Sequence, residues 1–546
     1  MRRVLFVALA PAVLGILTPG SLRAQGENAE PLRPGALRIT VGGTWAHATD
    51  WFGKPNLLSP TLVDGARQPL GTYFSSDSLG VAQLPFLDPL QSQLRGLTGL
   101  NGYLLNIGRS VLTLETSVRS TPLRIDYAPT RRLALSVSVP LVRTRTYAAL
   151  SGPDTGTAAA ATRGNIGLNV AGATDAFRSA VDTALRALRE QAQAGPAALR
   201  SQAQGTYDAW RPYLCGLYTL GGGNSVDLGS PCFGVNGAGP ATFLPVSYSE
   251  AGDSLSRRLG RAETDYQTLS AQFAAQGVTL PPLTEVFPLP DTTLDTNDLR
   301  RFFSDGSGVL AGDSLTSFVR TGIGDMELAA WYQLIDRPAL RTQLQVLVRL
   351  PTGTVDSPDN FIDVGTGDHQ TDVEVALRND LVFGRSLWLH VGGRYGRQMA
   401  DDLVRRVSPW YLPLAPASSR ATVHRQLGDY LSLDLVPNWQ LDDAFGVAVG
   451  YHFFHQAATQ FSYADPADEA RIGLPADKLG EGTGVTRMRV GAGVTFSTVK
   501  RYAEGHARMP LAVTWSYQNT FWGRGGQVPQ DGVMTLQIQL YLMNGR

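Results

Sequence analysis

The stretch RRLALSVSVPLV, from Arg131 to Val142, decides the fold. Leucine and valine occupy its odd positions from Leu133 to Leu141, whereas alanine, serine and proline occupy the even positions between them. A period of two predicts a β-strand with one apolar face and one small, polar face. The fold class then depends on what each face contacts.

The same alternation recurs in segments of about ten residues along the chain. In residues 370–383 the apolar set Val373, Val375 and Leu377 alternates with side chains of both charge signs. The twelve segments are residues 36–48, 110–127, 131–142, 322–335, 340–353, 370–383, 386–399, 429–441, 445–456, 486–498, 509–522 and 534–546. An even number of such strands predicts an all-β fold, a transmembrane antiparallel β-barrel of about 12 strands.

The connections between these segments favour a membrane barrel over a soluble sheet. Links after the even-numbered segments are short and links after the odd-numbered segments are longer, the longest being residues 148–321. Outer-membrane barrels have tight periplasmic turns and long external loops, whereas a soluble sandwich has no reason to keep this parity. We therefore expect strands 1–3 with a long external loop (48–109) in residues 25–147, an external, partly helical insertion in 148–321, and strands 4–12 in 322–546.

The first residues and the charge balance indicate the compartment. Residues 1–24 combine two arginines, an apolar run from Val4 to Leu17 and a small residue at Ala24, a pattern typical of a secretory signal peptide. The chain has 47 basic and 47 acidic residues, so it has no charge excess that would favour nucleic acid. We expect the cell outer membrane of a Gram-negative-type bacterium, with its lipid, a small-molecule solute and, during insertion, the barrel-assembly machinery as partners.

Charged side chains on the polar strand faces are the candidates for lining the barrel lumen, because a bilayer would not accept them. They would pair across strands, either closing the barrel with a salt-bridged network or lining a solute path. Aromatic residues near strand ends, among them Trp331, Trp439 and Tyr541, suit interfacial girdles. The lumen candidates are Glu115, Arg119, Asp325, Glu327, Arg341, Arg349, Asp372, Glu374, Arg378, His390, Arg394, Asp434, His452, Arg487 and Arg489.

The long insertion has a different period. Apolar residues recur at helical spacing in 174–192 and 249–277, which predicts amphipathic helices. Cys215 and Cys232 are the only cysteines, and in an exported chain such a pair favours a disulfide over a metal site. The insertion could cap the barrel mouth, enter the lumen as a plug or present a surface to a partner.

The sequence contains few features of a catalytic site. His390 and His452 fall on polar strand faces with aspartates not far along the chain, but no G-x-S-x-G or H-E-x-x-H motif is present. The stretch VGTGDHQTD (364–372) lacks the lysine and helix of a phosphate loop. We expect no enzyme, no cofactor and no metal.

Three segments resemble a known family. They are YAPTRRLALSVSVPLV (127–142), GIGDMELAAWYQL (322–334) and VGTGDHQTDVEVAL (364–377). They resemble outer-membrane proteins grouped as phenol meta-cleavage pathway transporter-like proteins and, more distantly, long-chain fatty acid and aromatic hydrocarbon channels. The resemblance covers the barrel strands and implies uptake of hydrophobic small molecules.

The sequence thus predicts an outer-membrane channel for passive uptake of small, hydrophobic or aromatic compounds. The alternative is a surface structural or interaction protein, in which the barrel anchors the insertion in the membrane and the insertion binds a partner.

Overall fold

A computed structural model describes residues 32–153, 163–170, 172–222, 227–235, 242–283, 286–305, 308–526 and 528–542. The signal peptide predicted for residues 1–24 lies outside the described residues.

Twelve antiparallel strands form a closed barrel, as the alternating segments predict. Each strand pairs with the next along the chain, and the first pairs with both the second and the last, which closes the sheet. The strands are β1 (Leu37–Phe52), β2 (Asn106–Tyr127), β3 (Leu133–Ser151), β4 (Met326–Arg337), β5 (Leu340–Leu350), β6 (Asp372–Phe383), β7 (Leu387–Gln398), β8 (Tyr430–Gln440), β9 (Phe445–Gln456), β10 (Val485–Ser497), β11 (Leu511–Arg524) and β12 (Val528–Leu542).

The stretch that decides the fold lies in β3 and has the expected two faces. Ser136 and Ser138 are buried, whereas Leu135 and Leu141 are 48% and 53% exposed. The same parity continues beyond the quoted stretch, with Thr144 buried inside. The small, polar face therefore points into the barrel and the leucine and valine face points out.

The last hairpin contradicts the expected alternation of short and long links. β11 continues to Arg524 and β12 begins at Val528, so this link after an odd-numbered strand is among the shortest. β12 begins this early because residues 528–532 pair with β1, and Gly532 also pairs with Asn519 of β11. The sequence did not indicate this extension because Pro529 and Asp531 interrupt the apolar pattern. The link after β10, in contrast, is long enough to contain a short helix, Val499–Ala503.

The chain also contains short additional strands, helices and 3-10 turns. The additional strands are Arg67–Pro69, Ser76–Gly80, Ile166–Leu168, Phe243–Pro245, Phe318–Ile323, Asp401–Arg406, Arg420–Gln426 and Gln460–Tyr463. The helices are α1 (Asp88–Thr98), α2 (Asp175–Ala194), α3 (Arg200–Gly222), α4 (Glu250–Ala274), α5 (Thr296–Ser304), α6 (Ala467–Ile472) and α7 (Val499–Ala503), with 3-10 turns at Thr72–Phe74, Pro85–Leu87, Ala417–Ser419 and Ala476–Leu479. Within the described ranges, every helix is too short or too polar to span a membrane.

The chain divides into two compact units. The first comprises Met1–Phe74, Leu112–Leu150 and Phe302–Arg546 and contains most of the barrel. The second comprises Ser75–Val111 and Ser151–Arg301. Residues 75–111, which the sequence suggests to be part of an external loop, thus belong to one unit with most of the insertion.

The second unit has its own apolar core, built on α1 to α4. The apolar faces predicted from helical spacing are buried, including Phe177 and Val181 on α2 and Leu255 and Phe273 on α4. Hydrogen bonds join segments far apart in sequence: the Gln93 side-chain amide donates to Gly216 O at 3.1 Å, and the Ser254 hydroxyl donates to Thr98 O at 2.7 Å. The helical content predicted for the insertion is confirmed.

The predicted disulfide is also confirmed. Cys215 on α3 is bonded to Cys232, 17 residues further along the chain, and both are fully buried. The bond closes the segment after α3 against the same core.

Candidate functional site

The outer face of the barrel is apolar. Many leucine, valine and isoleucine side chains on β1 to β12 are 36–53% exposed. Soluble proteins rarely expose a continuous apolar surface of this extent to water. Representative residues are Val41, Leu123, Leu135, Leu328, Val346, Val375, Leu433, Val449, Val490 and Leu536. A closed barrel with this outer surface fits the outer membrane of a Gram-negative-type bacterium.

Aromatic residues also cover this face, but two of the expected girdle residues are inside. Tyr395, Trp439 and Trp515 are 39–49% exposed on the outer face. Trp331 is 4% exposed and points inward from β4. Tyr541 shares the inward parity of Gln539 and contacts Arg38, so neither of these two belongs to a girdle.

The inner face carries buried charges in ion pairs. Arg349 on β5 pairs with Glu327 on β4, 3.4 Å away, and with Asp372 on β6. All three side chains are at most 5% exposed. A buried guanidinium held by two carboxylates from the adjacent strands satisfies both charge and hydrogen bonding.

A second inward cluster is centred on Asp434 of β8. Its carboxylate lies 3.3 Å from the Arg394 guanidinium and 2.7 Å from His452 Nδ1. Arg394 also lies 4.0 Å from Glu374, which accepts a 2.8 Å hydrogen bond from the Tyr430 hydroxyl. These residues link β6, β7, β8 and β9 along the inside of the wall.

Arginines and a tryptophan form a third cluster. Arg378 lies 4.2 Å from the centre of the Trp331 ring, and Arg124 lies 5.0 Å from it. Arg378 also donates to the Gln345 side chain at 3.2 Å. Cation–π contacts of this kind orient both guanidinium groups over the faces of one ring.

The remaining inward candidates lie on β7 and β10. His390 Nδ1 is 2.7 Å from the Asp380 carboxylate. Arg489 pairs with Asp531 and donates to the Thr520 hydroxyl at 2.9 Å. Arg487 is buried two residues before Arg489 on the same face of β10.

Four predicted lumen residues lie elsewhere or at an edge. Glu115 and Arg119 have the outward parity of β2, and the Arg119 guanidinium lies 4.9 Å from the exposed Trp45 ring. In this part of β2 the polarity of the residues does not distinguish the inward face from the outward face, because the inward residues Leu112 and Leu114 are apolar. Their assignment to the lumen was wrong.

Asp325 precedes β4 instead of lying on it. Its carboxylate accepts hydrogen bonds from the backbone N–H of Gly353 and of Asp368, both at 2.8 Å. Asp325 therefore holds the loop after β5. Arg341 begins β5 half-exposed, 3.9 Å from Asp336, next to a bulge, and so lies at the barrel edge.

Sequence reasoning missed several inward residues. Arg124 and Asp126 are buried on β2, where they form a 2.6 Å ion pair, and Arg38 of β1 joins them at 2.9 Å. Alternation within residues 120–127 places both on one face and could have identified them. Asp531 was missed because the predicted strand began at residue 534.

The loop after β5 contains a buried acid outside the strands. Arg425 donates to the Asp368 carbonyl and pairs with Asp401, both at 2.8 Å. Burial, together with the nearby carboxylates Asp325 and Asp372, raises the pKa of Asp368 to about 7. This loop therefore carries a group that titrates near neutral pH.

Several inward polar atoms lack a partner among the described residues. They belong to Thr40, Ser120, Ser432, His452, Arg487 and Gln518, the last through both atoms of its amide. Buried polar groups normally have hydrogen-bond partners, and ordered water is the usual partner where the protein supplies none. Across the described ranges, no group of three or more histidine, cysteine and acidic side chains is arranged to hold a metal ion.

Among known proteins, this chain is similar to solved structures of outer-membrane proteins. No family model and no curated protein matches the chain. A crystal structure of an outer membrane channel from Pseudomonas putida F1 has 9% identity, covers 94% of this chain and 98% of its own, and has a TM-score of 0.41. A Pseudomonas aeruginosa FadL homologue (8% identity, 99% and 98% coverage, TM-score 0.29) and the P. putida toluene transporter TodX (9%, 94% and 92%, 0.28) are also similar, with lower TM-scores. The assignment of the fold rests on this chain's own strand pairing.

Proposed function

We propose that the protein is an outer-membrane channel through which small solutes, including hydrophobic or aromatic compounds, diffuse passively. The observation that carries this proposal is the set of inward polar atoms without protein partners, notably on Ser432, His452 and Gln518. Inside a membrane barrel only water or solute can satisfy them. The proposal therefore requires that water and solute reach these buried atoms inside the barrel.

The direction of the ion pairs favours a lining role over a closing role. The pairs of Arg349, Arg394, His390, His452 and Arg489 join strands that are adjacent or two apart. Such pairs run along the wall and hold the arginine side chains against it. Of the two roles that the sequence leaves open, the short range of these pairs favours lining.

The experiment is conductance of the refolded full-length protein in planar bilayers, with influx of a small aromatic compound into proteoliposomes. Gln518→Trp adds bulk on the inner face, whereas Tyr517→Trp changes the adjacent residue on the outer face. We expect the wild type and Tyr517→Trp to conduct and Gln518→Trp to conduct less. Heat-modifiable migration on gels shows that each variant has folded.

The interaction-protein alternative has one observation in its favour, the separate apolar core and disulfide of the second unit. A folded wild-type protein that neither conducts nor admits solute would support it and would refute the channel proposal.

A further inference from the structure

Arg487 differs from the buried arginines that form ion pairs inside the barrel. It points inward from β10 and is 2% exposed. Among the described residues, no carboxylate lies within ion-pairing distance of it and its Nη1 atom has no hydrogen-bond partner. Arg349, Arg394 and Arg489 each have at least one carboxylate partner.

The surroundings of Arg487 are apolar on one side. Its guanidinium lies 4.7 Å from the centre of the Phe454 ring. Phe454 stacks on Tyr430, with ring centres 5.9 Å apart, and both belong to a buried cluster completed by Phe52, Val485 and Val528. The charge therefore lies at the edge of an apolar surface.

A second unpartnered polar atom lies in the same row of the sheet. Phe454 pairs with Arg487 on one side and with Ser432 of β8 on the other. The Ser432 hydroxyl is buried and lacks a partner among the residues described. Directly opposed residues have Cβ atoms about 5 Å apart, so Arg487 and Ser432 flank the Phe454 ring.

The charges in the adjacent row do not neutralise Arg487. His452 is paired with Asp434, and Arg489 is paired with Asp531, so the two carboxylates of that row already have partners. A buried guanidinium without a counter-charge is unfavourable unless an anion or water occupies its donors. Its planar fork of N–H donors matches the two oxygens of a carboxylate.

We propose that Arg487 and the Phe454 surface form a binding site for small organic anions, with the carboxylate on Arg487 and the apolar part against Phe454 and its cluster. Ser432 supplies a hydroxyl donor on the opposite side of the ring. This inference rests on the proposed channel function and specifies the substrate class: amphipathic carboxylates bind in preference to neutral compounds of the same shape.

The test is calorimetric titration of the refolded full-length protein with benzoate and, separately, with benzyl alcohol. We expect benzoate to bind more tightly than benzyl alcohol. Arg487→Gln should weaken benzoate binding by about tenfold or more, because a charge-assisted hydrogen bond is lost, and leave benzyl alcohol unchanged. Arg487→Lys, which keeps the charge but not the fork, should fall between Arg487→Gln and the wild type.

The matched control is Arg119→Gln, which removes the same charge from the outer face. It should bind benzoate like the wild type. Equal affinity of the wild type for benzoate and benzyl alcohol, or full binding by both Arg487 variants, would overturn the inference even if the protein conducts. Arg487-dependent benzoate binding by a protein that does not conduct would support the site and refute the channel.

Discussion

The Arg394 guanidinium on β7 lies 3.3 Å from the Asp434 carboxylate on β8, deep inside the barrel. Asp434 also accepts a hydrogen bond from His452, so one carboxylate holds two cationic or ionisable side chains against the wall. The positions of the Arg394 and His452 side chains inside the barrel therefore depend on this carboxylate.

Asp434→Asn should therefore be destabilising and should alter ion selectivity. The substitution leaves buried Arg394 without its nearest carboxylate, and breaking such a pair costs about 3–5 kcal/mol of the free energy of unfolding. The added positive charge should shift the reversal potential in a KCl gradient towards anion selectivity. Asp443→Asn, which removes an exposed carboxylate paired with Lys500, should change neither quantity.

Trp331→Ala should enlarge the lumen. The ring fills space inside the barrel and positions Arg124 and Arg378, so its removal takes away bulk and releases two guanidinium groups. We expect higher single-channel conductance together with a loss of about 3–5 kcal/mol in stability. Trp439→Ala, which removes a tryptophan from the outer face, serves as control; equal conductance of both variants and the wild type would contradict the inward position of Trp331.

Stability should fall as the pH rises through about 7. The folded protein holds the pKa of Asp368 at about 7, whereas the ordinary value is 3.8. The folded state therefore binds a proton that the unfolded state has lost, and this contribution is full below pH 3.8 and disappears above pH 7. Thermal unfolding from pH 5 to 9 should show this slope in the wild type and a reduced slope in Asp368→Asn.

Reduction should loosen the second unit selectively. The Cys215–Cys232 bond closes a loop of 17 residues, and its removal should cost that unit about 3 kcal/mol. Limited proteolysis of a Cys215→Ser/Cys232→Ser variant should cleave faster within residues 151–301, while the heat-modifiable migration of the barrel is unchanged. Equal cleavage rates with and without the disulfide would refute this expectation.

Much of the barrel could be predicted because the period of two is a local property of each strand. Residues 445–456 are a strand in both prediction and structure. The faces of β2 could not be assigned as safely, because Leu112 and Leu114 point inward while Glu115 points outward. Polarity separates faces only where lipid and lumen select opposite residue types.

Contacts between residues far apart in the chain could not be predicted from the sequence, for a different reason. The Gln93 side chain donates a hydrogen bond to Gly216 of α3, which lies 123 residues further along the chain. The periodicity of nearby residues carries no information about such a contact. The partners of Arg489 are likewise set by the register of β10, β11 and β12, which the shortened prediction for β12 did not contain. Individual charged residues were predictable, but most of their pairings were not.

Chemical accessibility of the inner face tests the central claim most directly. Both natural cysteines form the disulfide, so an introduced cysteine supplies a free thiol. We predict that Ser432→Cys reacts with a small, water-soluble thiol reagent that enters the barrel and that the reaction lowers single-channel conductance, whereas Leu433→Cys, on the outer face, shows no block. Failure of Ser432→Cys to react in a folded protein, or a reaction that leaves conductance unchanged, would contradict a solute path through the barrel.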